Sequence, residues 1–470
     1  MRGIFPGRAL GVLLLTQMAF AQSSPGPPIP KDSSIQPDSE IRQILLDRID
    51  KQRQSVGMVV GVIEPAGRRV VAYGMLAKND KRPLGGDTVF EIGSVTKVFT
   101  SLLLADMVQR GEVKLTDPIA KYLPASVKVP ERDGRQITLQ DLATHTSGLP
   151  RLPSNLHPKD SSNPYADYSV EQLYQFLSSY QLTRDIGSQY EYSNLAGGLL
   201  GHVLARRAGM DYEKLVLERI CEPLHMNGTR IALSPEMKSQ LATGHNAALY
   251  PVANWDLPTL AGAGALRSTA NDLLTFLAAN LDTKSPLAGA MAVMLSVRRP
   301  TGVSGLEIAL GWHIFKRNGR EIIWHNGGTG GFRSFLGYDL KRHVGVVVLS
   351  NAGTEAGGDD IGQHLLDPSV PLMEPAKQHK EIAVDSKLFD GYVGRYQLAP
   401  NFILTVTRED NHLFVQATGQ PKFELFAEGN RDYFLKVVDA QVTFETDSQG
   451  RANSLVLHQN GAQQPAKRIE

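Results

Sequence analysis

The chain has 470 residues, 42% of them apolar and 21% charged, with a formal net charge of +1. That length exceeds what one hydrophobic core usually serves, so two or three folding units are expected, with the composition of a soluble globular protein rather than a disordered one. Near-neutral charge without a long basic run argues against a nucleic-acid partner, and Cys221, the single cysteine, excludes an internal disulfide.

Arg2 and Arg8 precede an apolar run from Ala9 to Phe20 that closes in Ala19-Phe20-Ala21, the pattern of a signal peptide over 1–21. The run is about 12 residues against the roughly 20 of a spanning helix, so no stable membrane anchor is expected. Loss of this segment would take Arg2 and Arg8 with it and carry the net charge from +1 to −1. An exported, cysteine-poor chain of this size fits a bacterial periplasmic or secreted protein. Residues 22–38 hold Pro25, Pro27, Pro28 and Pro30 and read as a Pro/Ser-rich linker.

Ile41, Leu45, Leu46 and Ile49 recur at helical spacing, and Met58 to Ile63 with Arg69 to Met75 read as a strand pair around Pro65-Ala66-Gly67. The apolar positions Val98, Leu102, Leu103, Ala105 and Met107 predict a helix from Ser94 to Arg110 that stops at Gly111. From Thr138 to about Leu281 the pattern is a largely helical insertion, with Ser268-Thr269 capping a helix that runs to Leu277. Asn318-Gly319 predicts a hairpin between Ala309–Lys316 and Glu321–His325. A glycine-rich loop follows, then strands over Phe332–Tyr338 and Val344–Leu349. Beyond Pro368, Pro371 and Pro375, short strand signals recur from Phe402 to His458, as in a small β domain.

Three short patterns carry chemistry. Ser94 is the only serine followed three residues later by lysine. On a helix, positions i and i+3 share a face, so the Lys97 amine can take the Ser94 hydroxyl proton. Burial and the positive end of the helix dipole push that amine toward its neutral form. Tyr192-Ser193-Asn194 is the only Tyr-x-Asn in the chain. A phenol beside an ammonium can ionise and relay a proton, and Asn194 can hold a substrate amide; the alternative is a turn tyrosine with an asparagine cap. His325-Asn326-Gly327, followed by Gly328, places glycines where backbone N–H groups can approach a substrate, although a plain glycine-rich loop or a strand-capping histidine reads the same way.

In this order and spacing the three patterns resemble the serine β-lactamase and penicillin-recognising family, in its class C β-lactamase and D,D-peptidase branch. Leu115-Thr116-Asp117-Pro118, His145-Thr146-Ser147-Gly148-Leu149-Pro150 and Gly264 to Asp272 add to the resemblance. It implies an α/β (α+β) sandwich, an antiparallel sheet flanked by helices with a helical lobe, plus a small all-β C-terminal domain. The expected boundaries are a catalytic domain over 39–366, a linker over 367–386 and a β-barrel-like domain over 387–470. It further implies that Ser94 forms the acyl-enzyme, that Lys97 and Tyr192 move protons, and that Asn194 contacts the acyl amide. The N–H groups of Ser94 and Gly328 would bind the oxyanion. His325 would stand opposite Tyr192, favouring its anionic form or binding a substrate carboxylate.

Two departures stand out. His325 replaces the lysine of typical class C β-lactamases, which turns a fixed cation into one that titrates near an ordinary pKa of about 6.5. Asn326 replaces a threonine. Both argue against efficient β-lactam hydrolysis. The expected activity is therefore that of an exported serine hydrolase on β-lactams or D-Ala-D-Ala-type peptides. The alternatives are a carboxylesterase of the same fold and a non-hydrolytic penicillin-binding sensor. The expected partner is a small-molecule or peptidoglycan-peptide substrate. No His-Glu-x-x-His or Cys-x-x-Cys appears, so neither a metal nor another cofactor is expected.

Overall fold

The computed structural model describes residues 35–80, 82–374, 379–399, 402–418, 420–436, 440–459 and 462–470. The expected signal peptide and most of the 22–38 linker lie outside these residues, as do residues 375–378 of the second linker. Two compact units divide the chain near residue 375.

The first unit is built on an eight-stranded sheet. Its strands in chain order are β1 (Gly57–Glu64), β2 (Gly67–Gly74), β3 (Arg299–Pro300), β4 (Leu306–Ile308), β5 (His313–Arg317), β6 (Arg320–Gly328), β7 (Arg333–Asp339) and β8 (Val344–Ser350). They are ordered β2-β1-β8-β7-β6-β5-β4-β3, with every neighbouring pair antiparallel. Alternate side chains go to opposite faces, yet both faces are covered. Met58, Val60, Val62, Val346 and Val348 join one core cluster, while Val59, Val347 and Leu349 join the other. Burial on both faces explains why β8 reads as an unbroken apolar run. Helix α1 (Asp38–Leu46) supplies Ile41 and Leu45 to the first cluster, and Ile35 is buried there as well, so packing begins ahead of the expected start at residue 39.

Helix α2 (Thr96–Gln109) is buried around its whole circumference, from Thr96 through Met107. A helix apolar on all sides belongs at the centre of its unit, and α2 packs there with α3 (Asn194–Ala208) and the turn at Ala261–Ala263. Helix α4 (Ala270–Leu281), capped by Thr269 as expected, lies on β1 and β8. Helix α5 (Asp359–Leu366) lies on β7 and β8. Between Leu139 and Gln240 the chain is helices joined by loops, as the sequence suggests.

Asn318 and Gly319 both take positive φ, 50° and 75°, which is the mirror-image turn that two-residue hairpins favour. The strand before it starts at His313 rather than Ala309, because Ala309 N–H bonds back to Trp312 C=O across Gly311, whose φ is +71°. After the turn, β6 runs through Gly328, so half of the expected glycine-rich loop is strand.

The second unit is a closed barrel of the strands Gly394–Ala399, Phe402–Glu409, His412–Ala417, Lys422–Ala427, Asp432–Phe434, Ala440–Thr446, Ala452–Gln459 and Ala462–Arg468. The last strand closes onto the first through Tyr396–Arg468 and Gln397–Lys467. Its core centres on Tyr392, Tyr396, Tyr433 and Phe444.

Candidate active site

Ser94 sits in a tight turn, Gly93–Val95, that feeds directly into α2. Among residues 91–100 it alone is not buried. Gly93 has φ +48°, and a Cβ there would lie 2.7 Å from Gly328 N, so only glycine lets the end of β6 come this close to the nucleophile turn. The Ser334 hydroxyl fastens the same junction by donating to Ile92 C=O at 2.7 Å.

Lys97 lies one turn on and is 2% exposed. Its Nζ donates to Ser94 Oγ at 3.0 Å, Asn194 Oδ1 at 2.9 Å and Ala263 C=O at 2.7 Å. The fit depends on α3, where a Cβ on Gly197 would stand 2.8 Å from Lys97 Cε. Burial, with a smaller push from the Arg151 charge, holds the amine well below its usual range. Three acceptors fix the amine in place; dehydration makes its neutral form accessible.

The second pattern caps α3. Ser193 accepts from Ala196 N–H at 2.9 Å and donates to Pro150 C=O at 2.6 Å, while Asn194 N–H and Leu195 N–H both donate to Arg151 C=O. Tyr192 is thereby held with its hydroxyl within hydrogen-bonding reach of Ser94, and Lys97 Nζ is 4.9 Å from its ring centre. Burial pushes this phenol above its ordinary value. Asn194 Nδ2 donates to the Tyr165 hydroxyl at 3.1 Å, and Trp255 packs on Tyr165.

Behind Tyr192 lie three buried histidines. His145 accepts from Ser193 N–H at Nδ1 and packs 4.5 Å from the Tyr192 ring. His313 is hydrogen-bonded to the Tyr190 hydroxyl at 3.0 Å and stands 5.2 Å from His325, ring centre to ring centre. His325 faces Tyr192 at 6.1 Å, as the resemblance implies. Its Nδ1 meets the Asn326 carbonyl at 2.6 Å and so carries the proton. Its Nε2 is buried without a partner.

This geometry corrects the charge assigned to the site. Burial first, and the neighbouring positive groups second, hold His145 and His325 well below the usual imidazole range, and burial takes His313 down to about 4. His325 is therefore neutral at pH 7, not a cation that fades above neutrality. It gives no charge to stabilise a Tyr192 phenolate or to bind a carboxylate. A dehydrated site disfavours charge of either sign, so burial lowers the Lys97 amine and raises the Tyr192 phenol.

Asn326 turns out to be tied down, since its Nδ2 donates to Asp359 at the start of α5. Burial pushes that carboxyl up to about 6. Gly327 is buried and Gly328 is exposed at the strand end. The Ser94 turn, Lys97, Tyr192, Asn194 and the His325–Gly328 segment are thus brought to one place.

A family model described as beta-lactamase matches residues 43–367, and a second, described as a domain of unknown function, DUF3471, matches residues 378–468. The chain belongs to the β-lactamase family. Among its relatives is the D-alanyl-D-alanine-carboxypeptidase/endopeptidase AmpH of Escherichia coli (strain K12), 33% identical over 66% of this chain and 83% of the relative. Penicillin-binding protein 4* of Bacillus subtilis (strain 168) is 26% identical over 85% of this chain and 92% of its own. Among solved structures, a β-lactamase/D-alanine carboxypeptidase from Yersinia pestis aligns with a TM-score of 0.63 and 25% identity, covering 72% of this chain and 99% of that one.

Within this member of the family, the structure adds residues that the sequence motifs did not single out. Tyr165, which holds Asn194, and His313, which stands behind His325, carry no local signal. His145 lies in the quoted His145–Pro150 segment, and Arg151 follows it directly. Among the described residues no group of three His, Cys, Asp or Glu side chains is placed to hold a metal, and no helix is long and apolar enough to cross a membrane.

Proposed function

We propose that the chain is a serine hydrolase that acylates Ser94 with D-Ala-D-Ala-type peptides or β-lactams and then releases the acyl group to water. The observation that carries this reading is Ser94 Oγ 3.0 Å from a buried Lys97 amine that burial holds well below its usual range, with the Tyr192 hydroxyl in reach on the same oxygen. Lys97 Nζ takes the Ser94 proton as Oγ adds to the substrate carbonyl. The N–H groups of Ser94 and Gly328 receive the oxyanion. Tyr192 gives its proton to the leaving nitrogen as the C–N bond breaks and is resupplied from the Lys97 ammonium, so the phenol never needs to rest as an anion. Water then reverses the sequence on the ester. Export as a periplasmic or secreted protein is supported by the Arg2-to-Ala21 pattern, and a peptide or β-lactam substrate by the names of the relatives.

The test is intact mass of the mature protein after exposure to benzylpenicillin, with turnover of a D-Ala-D-Ala peptide and a short-chain ester. Wild type should gain one penicilloyl mass and turn over substrate. Ser94→Ala should gain none and lose about 10³-fold or more in rate. An unmodified mass with every substrate, or a Ser94→Ala enzyme that keeps its activity, would overturn the assignment.

A further inference from the structure

In the buried half of the site, burial shifts Lys97, His145, His313 and His325 toward their neutral forms, and the three acceptors around Lys97 Nζ leave it no donor for a substrate carboxylate. Two guanidiniums border this half. Arg333 approaches Gly328, but its donors go to the carbonyls of Thr329, Phe332 and Gly353, and the carboxylates of Asp359 and Glu355 are near enough to act on its charge. Arg151 differs in every respect. It is exposed, its guanidinium carbon lies 5.3 Å from the centre of the Tyr192 ring, and among the described residues no carboxylate pairs with it. Its charge is felt at Lys97, His145, Tyr165 and Tyr192.

The root of this side chain is fixed. Arg151 C=O accepts from both Asn194 N–H at 3.0 Å and Leu195 N–H at 3.2 Å, and Pro150 C=O accepts from Ser193 Oγ. The backbone that positions Tyr192 and Asn194 therefore also positions the guanidinium, and the aromatic face beneath it holds the cation at the rim of the site. An unpaired guanidinium presents a planar fork of donors matched to a carboxylate.

Resting on the Ser94 reading, we propose that Arg151 is a specificity-determining residue that binds a carboxylate of the substrate, supplying from the second-motif side the cation that His325 does not supply. The carboxylate can lie on the acyl part or on the leaving group, and matched esters tell the two apart. p-Nitrophenyl butyrate and p-nitrophenyl hydrogen glutarate differ by an acyl-side carboxylate. Phenyl acetate and 3-carboxyphenyl acetate differ by one on the leaving group.

Arg151→Gln should lower kcat/KM for the charged member of one pair about tenfold or more relative to its neutral partner, through KM. Arg151→Lys should recover part of the loss. Raising salt should weaken wild-type turnover of that charged ester and leave the Arg151→Gln enzyme unaffected, since an exposed pair is screened. The pair that responds identifies the end of the substrate recognised. If both members of both pairs change alike in Arg151→Gln, the proposal is overturned while the Ser94 assignment stands. If wild type turns over none of the four esters and gains no penicilloyl mass, the Ser94 assignment falls, and this proposal with it.

Discussion

Both units bury tyrosines, but they satisfy them differently. In the barrel the Tyr396 hydroxyl donates to Tyr392 C=O at 2.7 Å, and the Tyr392 and Tyr433 hydroxyls both donate to Asn430 C=O. In the first unit Tyr192 reaches Ser94, Tyr165 holds Asn194 and Tyr190 meets His313. Burial raises the phenols in both places, with Tyr396 pushed up to about 12. A raised pKa therefore does not separate a structural tyrosine from a chemical one. The partner does: a backbone carbonyl can only accept, whereas serine, histidine and an asparagine held by lysine can pass a proton or move with a substrate.

The largest effect that could break this contrast comes from Lys97→Met. It removes the amine from Ser94 while keeping its volume, and turnover should fall about 10³-fold or more. The melting midpoint should move by only a few degrees, because a dehydrated amine leaves together with its three hydrogen bonds. A collapse of the fold would make Lys97 as structural as the barrel tyrosines. Phe444→Ala tests the other side. Phe444 is fully buried, stacks on Tyr392 at 4.4 Å and meets the edges of Tyr396 and Tyr433. Its truncation should cost about 3–5 kcal/mol in a calorimetric barrel transition and leave Ser94-dependent ester turnover within about twofold. A parallel loss of rate would show that the two units do not act separately.

What could be read from the sequence follows the range of the interactions involved. Ser94 and Lys97 share one helical turn, so their pairing is local and legible, as is the Asn318-Gly319 hairpin. The position of His325 is legible for the same reason, but its charge is not. Its burial comes from His313, Tyr192 and the end of β6, which meet only in the folded chain. The start of β5 depends on the Gly311 turn and shifts by four residues from the apolar run. The last barrel strand, Ala462–Arg468, is polar and contains Pro465, so it carries no strand pattern. It is a strand because it pairs with Ala452–Gln459 along its length and closes the barrel through its end, where Lys467 and Arg468 pair with Gln397 and Tyr396 and the following Ile469 and Glu470 bond to Arg395, leaving Pro465 outside the pairing on that side. The Glu91–Arg267 pair, which steadies the strand leading into Ser94, likewise joins residues far apart in sequence.

The smallest predicted effect is one of pH, and it belongs to the histidines behind Tyr192. His313 takes its proton at about 4 in the folded protein and at its ordinary value of 6.5 when unfolded. Between these values the unfolded chain binds the extra proton, so His313 adds stability that is full above pH 6.5 and is lost as pH falls toward 4. At pH 5 the loss amounts to about 2 kcal/mol. Asp359, pushed up to about 6, works in the opposite sense over part of this range, so the decisive quantity is the difference between variant and wild type. His313→Gln keeps a polar group toward Tyr190 and removes the titration. The drop in melting midpoint from pH 7 to pH 5 should therefore be smaller in His313→Gln than in wild type. An equal drop would mean that His313 is reached by water and protonated in the fold, and that the site behind Tyr192 is not the dehydrated chamber that keeps Lys97 a base.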